Sequence, residues 1–109
     1  MSTVHAIYAI ENTVNGQMYI GSAHNVRRRW TKHRVELRKG AHHSEHLQRA
    51  FAKYGEAAFD FSIIEYVDSK NSLLRREQIW LDFFKPAYNV AKVAGSPPAG
   101  LTFSAETRA

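Results

Sequence analysis

The chain has no cysteine. This excludes a disulfide framework, a thiolate nucleophile and any zinc site of the cysteine type, and it fits a cytoplasmic protein. No apolar run approaches the roughly 20 residues that span a bilayer. Met1–His5 lacks the basic start and long apolar middle of a secretory leader, so no membrane association is expected. Acidic side chains are outnumbered, ten Asp and Glu against fifteen Lys and Arg, for a net charge of +5. That imbalance leans toward polyanionic partners, chiefly nucleic acid. Apolar residues make up 44% of the 109 positions. The chain can therefore bury one core, with no length left for a second, and disorder is excluded for most of it.

The excess charge is local. Residues 27–39 hold seven Lys or Arg and one acid, Glu36, while the other 96 residues carry eight bases and nine acids. This segment is a candidate phosphate-facing surface, with Arg27, Arg28, Lys32, Arg34 and Arg38 as candidate DNA contacts. A plain solvated helix face is the competing reading.

Val4–Ile10 and Met18–Ser22 are rich in strand formers, and Asn15-Gly16 between them signals a hairpin turn. If those two residues form the turn, Tyr8 and Tyr19 share one face and Ile7 and Ile20 the other. A wider loop whose paired positions keep an odd sum preserves this. Asn25 caps a helix to about Lys39, stopped by Gly40. Ser44 caps a second to about Tyr54, stopped by Gly55, with the stripe Leu47, Ala50, Phe51 and Tyr54. Phe59–Val67 reads as a third strand. A third helix starts at Ser69 or Ser72 and ends before Pro86, with the stripe Leu73, Leu74, Trp80, Leu81 and Phe84. The order is β-β-α-α-β-α, an α/β domain on a small sheet. Residues 94–100, Ala-Gly-Ser-Pro-Pro-Ala-Gly, read as a linker. Ser104 then looks like the cap of a helix with no body before Ala109, which points to a piece of a longer protein.

Several polar residues stand where apolar ones are expected. Glu77 lies on the same face as Leu73, Leu74, Trp80, Leu81 and Phe84. A bare carboxylate there is costly or protonated, so it calls for a cation, a metal or strong donors. An ion pair with Arg75, Arg76 or a distant Arg is the competing reading. On the first helix, Val26, Trp30, His33 and Leu37 form the inward stripe. Arg29 follows Val26 by three and precedes His33 by four, which makes Arg29 and His33 neighbours at the edge of the buried face. A guanidinium held there suits a phosphate, or else its stem covers the core rim. The cofacial tyrosines either pack across the strands or present two phenols to one site. No carboxylate stands at zincin-like spacing from the six histidines, so no histidine metal site is expected. His33 and His42 are instead candidates for proton transfer or phosphate contact.

The ordered set of motifs then points to a family. Ala6-Ile7-Tyr8 is followed after ten residues by Tyr19-Ile20-Gly21, then by Ser22-Ala23 and by Arg29-Trp30 with His33. Next come Lys39-Gly40 with His42, Leu47-Gln48-Arg49 with Phe51, and Lys53-Tyr54-Gly55. Arg76-Glu77 with Trp80 and Tyr88-Asn89-Val90-Ala91 complete the series. Over about residues 5–92 this resembles the GIY-YIG nucleases, most of all the catalytic domains of phage and intron homing endonucleases. The resemblance implies the GIY-YIG nuclease fold, a small three-stranded antiparallel sheet flanked by helices. Residues 1–93 would form the catalytic domain, and 94–109 the linker and start of a truncated DNA-binding region. The implied activity is metal-dependent hydrolysis of phosphodiester bonds in double-stranded DNA. It would belong to a monomeric fragment without a small-molecule cofactor, in the cytoplasm of a bacterial or phage-infected cell. A restriction or repair nuclease of the same superfamily, or a nucleic-acid-binding module without cleavage, are the alternatives. Ala6 stands where the family's first triplet has glycine, and its methyl is expected to be tolerated because Ile7 and Tyr8 are intact.

Carried over residue by residue, the resemblance makes Glu77 the ligand of one divalent cation, Mg²⁺ or else Mn²⁺. Arg29 neutralises the scissile phosphate, Tyr8 activates water or takes its proton, and Tyr19 positions the phosphate or water. His33 and His42 support these groups, and Asn89 braces the arrangement. Whether Tyr8 or His33 is the general base stays open at this level.

Overall fold

The computed structural model describes residues 4–89. The elements run β1 (Ala6–Asn12), β2 (Met18–Ala23), α1 (Val26–Lys39), α2 (Glu45–Tyr54), β3 (Phe59–Tyr66) and α3 (Leu73–Phe84), with 3₁₀ turns at Glu56–Ala58 and Lys70–Ser72. The sheet is antiparallel in the order β2-β1-β3. The β-β-α-α-β-α order and the three-stranded sheet are therefore as expected.

The central strand is covered on both faces, and its alternation sorts the core into two layers. Ala6, Tyr8 and Ile10 join Tyr19 and Ala23 under α1 and α2, through Val26, Leu37, Leu47 and Ala50. Ile7, Ala9 and Ile20 face the other way, onto Val67, Leu73 and Leu81 of the α3 side. β2 is an edge strand, so groups from both layers can meet along its free side.

The hairpin loop is wider than Asn15-Gly16. Pairing runs from Ala6↔Ala23 to Glu11↔Met18. The loop is closed by Asn12 N–H to the Gln17 carbonyl and Gly16 N–H to the Asn12 carbonyl, both 2.8 Å, with Gly16 at φ 77°. The pairing is displaced by an even number of positions from that of a two-residue turn, so Tyr8 and Tyr19 still share a face. Between Ile7 and Tyr8 the register to β3 shifts by one residue. Ile64 packs in the α3 layer by plain alternation, and through the shift its neighbour Glu65, paired with Ile7, also meets α3, accepting from Arg76 Nε and Trp80 Nε1 at 2.9 Å each.

The helices start and stop where short polar residues and glycine make that cheap. The Asn25 side chain accepts from Arg28 N, and Gly40 is left-handed at φ 76°. Ser44 Oγ accepts from Leu47 N. The third helix starts as expected, with Ser69 capping the 3₁₀ turn and Ser72 at the N-cap of the α-helix that begins at Leu73, but its stripe differs. Leu74 is 55% and Phe84 40% exposed. The inward line is Leu73, Glu77, Leu81, four residues apart at about 3.6 per turn, which leaves Leu74 and Phe84 off it. The expected linker at 94–100 and the segment 101–109 lie outside the described residues. No described helix is long and apolar enough to cross a membrane.

Candidate active site

Gly21 makes room for the centre of the site. Tyr8 pairs with Gly21 across the hairpin, and its ring lies over that residue. A Cβ at Gly21 would stand 2.6 Å from Tyr8 Oη and 2.7 Å from Cζ. Glycine is needed here for space, since its φ is not left-handed. Ala6, the methyl-bearing residue of the first triplet, is fully buried in the same layer.

Behind Tyr8 stands a chain of hydrogen bonds whose directions one donor decides. The backbone N–H of Ser44 donates to His42 Nδ1 at 3.0 Å. Burial, reinforced by neighbouring positive charge, lowers the His42 pKa to about 4 and that of His33 to about 3, so both rings are neutral. With Nδ1 accepting, the single proton of His42 sits on Nε2 and points at His33 Nδ1, 2.8 Å away. The proton of His33 is then on Nε2, directed at Tyr8 Oη at 2.6 Å. The relay thus runs from Ser44 through both imidazoles to the phenol, donating at every step. Tyr19 is held by its own contact, Oη to His43 Nε2 at 3.2 Å.

The phenols are poor bases as they stand. Burial, helped by Tyr19, holds Tyr8 well above its usual pKa, and the charge and hydrogen bond of Arg29 only partly oppose this. Burial and the charge of Glu77 push Tyr19 to about 12. The charge and hydrogen bond of Arg29 alone do not bring Tyr8 into range, because desolvation of a fully buried ring outweighs one exposed guanidinium.

Glu77 comes from the opposite layer. It is half-buried, accepts a 2.5 Å hydrogen bond from Ser22 Oγ of β2, and has a raised pKa because desolvation outweighs Ser22 and Arg29. Among the described residues it has no ion-pair partner, and Arg76 pairs with Glu65 instead. The Glu77 and Ser22 oxygens are hard donors of the kind Mg²⁺ and Mn²⁺ take. A second group of ligand-type atoms, from His33, Glu36 and His42, lies within 4.8 Å. There the Ser44 amide occupies the His42 nitrogen that must carry a proton if Nε2 were to bind an ion, so this group works as a relay.

The other expected residues divide. Asn89 uses both ends of its amide on Ile20, donating to the carbonyl and accepting from the amide at 2.8 Å each. It holds the free edge of β2 and is a positioning residue. Arg27, Arg28 and Lys32 are exposed on α1. Arg34 and Arg38 turn toward the β3 side. Arg34 lies over the Phe61 ring at 4.2 Å, and Arg38 makes two hydrogen bonds to Glu56. Sequence reasoning missed the roles of Ser22, His43 and Ser44. Ser22 and the Ser44 cap were visible, but only the fold brings them to Glu77 and His42.

A tyrosine, a guanidinium and a carboxylate converging on one sheet edge suit the cleavage of a phosphodiester. Comparison with known proteins agrees. The GIY-YIG catalytic domain matches residues 4–89, and the chain belongs to this nuclease family. It is similar to intron-associated endonuclease 1 of Enterobacteria phage T4, 38% identical over 89 residues, which is 81% of this chain and 36% of that protein. It is also similar to a probable intron-encoded endonuclease 1 of Neurospora crassa, 37% identical over 67% of this chain and 23% of the relative. The chain thus spans about a third or less of these relatives. Among solved structures, the catalytic domain of the homing endonuclease I-TevI superposes with a TM-score of 0.72 at 37% identity, covering 80% of this chain and 98% of that one. A mutant of the same domain gives 0.76 at 36% identity, over 84% and 97%.

Proposed function

We propose that this domain cleaves double-stranded DNA with the help of one divalent cation, as the catalytic part of a homing-type endonuclease acting in the cytoplasm. The convergence of Tyr8, Arg29 and Glu77 at the β2 edge carries the reading. Glu77, with Ser22 beside it, would hold Mg²⁺ or Mn²⁺. When bound, such an ion polarises the phosphoryl group and steadies the leaving 3′ oxygen. Arg29 offsets the charge that builds on the phosphate. Tyr8 would first release its phenol proton to solvent, favoured by the charge of Arg29 and of a cation held on Glu77, and as the phenolate take the proton of the attacking water. His33 cannot do so, because its Nε2 already bears a proton pointed at Tyr8. Its part is to donate to the phenolate, and His42 holds it in that tautomer. Tyr19 positions the phosphate or water, and Asn89 keeps β2 in place. Arg27, Arg28 and Lys32 hold the backbone of the duplex. Phosphate contacts carry little sequence information, so this domain should cut with little sequence preference of its own. The test is plasmid nicking with Mg²⁺ and with EDTA, for the wild type and Tyr8→Phe. Cleavage only with Mg²⁺, and a loss of about 10²–10⁴-fold in Tyr8→Phe, is expected. A Tyr8→Phe enzyme of near wild-type rate would return the base to His33, and metal-independent cleavage would overturn the reading.

A further inference from the structure

We propose that the exposed side of α2, together with the hairpin loop, is a second docking site for the DNA backbone. Between them lies a cleft of about 300 Å³, walled by Asn15 and Gln17 on the loop and by His46, Arg49 and Lys53 on the helix, with Tyr88 in its floor. The charge count hides this surface, because outside residues 27–39 bases and acids nearly balance. Folding sorts them. Leu47 and Ala50 of α2 are buried, while His46, Arg49 and Lys53, three and four apart, stay exposed along the cleft, which Ala50 and Tyr54 also line.

The chemistry fits a phosphodiester chain. Arg49, Lys53 and the amide side chains of Asn15 and Gln17 can all donate to phosphate or sugar oxygens, while His46 donates its Nδ1 proton to the Ala87 carbonyl at 3.1 Å. Among the described residues Arg49 makes a loose, exposed pair with Glu45, at 3.6 Å, which a phosphate can displace. From His46 to Lys53 the helix rises about 10 Å at 1.5 Å per residue, close to three base-pair steps of about 3.4 Å. The cleft is also tied to the catalytic wall. The Tyr88 carbonyl accepts from Ser44 Oγ at 2.6 Å, Ser44 N–H anchors the histidine relay, and His43, three residues before His46, contacts Tyr19. A strand leaving the site past Tyr19 and His43 meets this row next.

The inference rests on DNA being the substrate, and binding is measured apart from cleavage. A 20-base-pair duplex is titrated in EDTA at several salt concentrations with the wild type, with Arg49→Ala/Lys53→Ala and with Arg49→Glu. The double variant is expected to lower the slope of log affinity against log salt by about two and to bind more weakly. Arg49→Glu should bind more weakly still, and both should keep the wild-type cleavage rate at saturating DNA with Mg²⁺. An unchanged slope and affinity would overturn the proposal, as would a reduced rate with unchanged binding. A wild type that binds but never cuts would leave this site standing and remove the nuclease reading instead.

Discussion

The two layers that meet at the β2 edge are built from different chemistry. On the α1 and α2 side stand rings and neutral hydrogen bonds, Tyr8, His33 and His42, nearly all out of water. On the α3 side stands one half-buried carboxylate, Glu77, with a serine for a partner. The first half is organised before any ligand arrives, because burial keeps its imidazoles neutral and the Ser44 amide sets every proton. The second is an acceptor with no described cation paired to it, the state in which a carboxylate is ready for a metal ion. The contrast explains why Tyr8 rests as a neutral phenol. Its relay can stabilise a phenolate, but the charge to form one has to come from the other layer and from Arg29.

Removing the charged half should have the largest effect on rate and the least on the fold. Glu77→Ala is expected to abolish Mg²⁺-stimulated cleavage. Its melting temperature should not fall, since the substitution relieves a desolvated carboxylate. Mg²⁺ titrations of nicking and thermal unfolding check both halves of the statement.

Disturbing the ring half should damage rate and fold together. In Gly21→Ala the new methyl stands inside contact distance of the Tyr8 phenol. A rate loss of about 10²-fold, from misplacing a catalytic group, should come with about 1–3 kcal/mol of destabilisation. Wild-type kinetics in this variant would mean that Tyr8 does not need its place over β2.

Arg29 bridges the layers, and replacing it should cost about 10²-fold in rate. Arg28→Ala should change mainly affinity, lowering the salt slope by about one. Equal effects from the two arginines would reduce α1 to an electrostatic surface.

Acid should act on the ring half first. The unfolded chain takes up protons at its histidines below about pH 6.5, whereas folded His42 and His33 refuse them until about pH 4 and 3. Stability is therefore full above that range and falls as pH drops through it. Thermal unfolding should show a lower melting temperature at pH 5 than at pH 7, and a smaller drop in His42→Gln.

The smallest effect is expected at Arg38. Its pair with Glu56 is exposed on both sides and screened by solvent, so Arg38→Ala should leave the melting temperature nearly unchanged and the salt slope of DNA binding unchanged. A slope change of one would restore Arg38 to the DNA-facing set.

Local chemistry decided much of this protein before folding. Asn25, Gly40, Ser44 and Gly55 mark helix ends because capping needs only neighbouring residues. Strand alternation put Tyr8 and Tyr19 on one face, and helical spacing set Glu77 among apolar neighbours and Arg29 beside His33. What local patterns do not contain is the partner across the fold. Ser22 could not be matched to Glu77, fifty-five positions away, nor the Ser44 amide to a histidine tautomer. Arg38 was one of five similar cations until β3 and its preceding turn brought Glu56 beside it. The basic row of α2 was invisible to charge counting for the same reason. Composition sums charge along a chain, while binding depends on which charges a surface gathers, and that is settled only when distant segments pack.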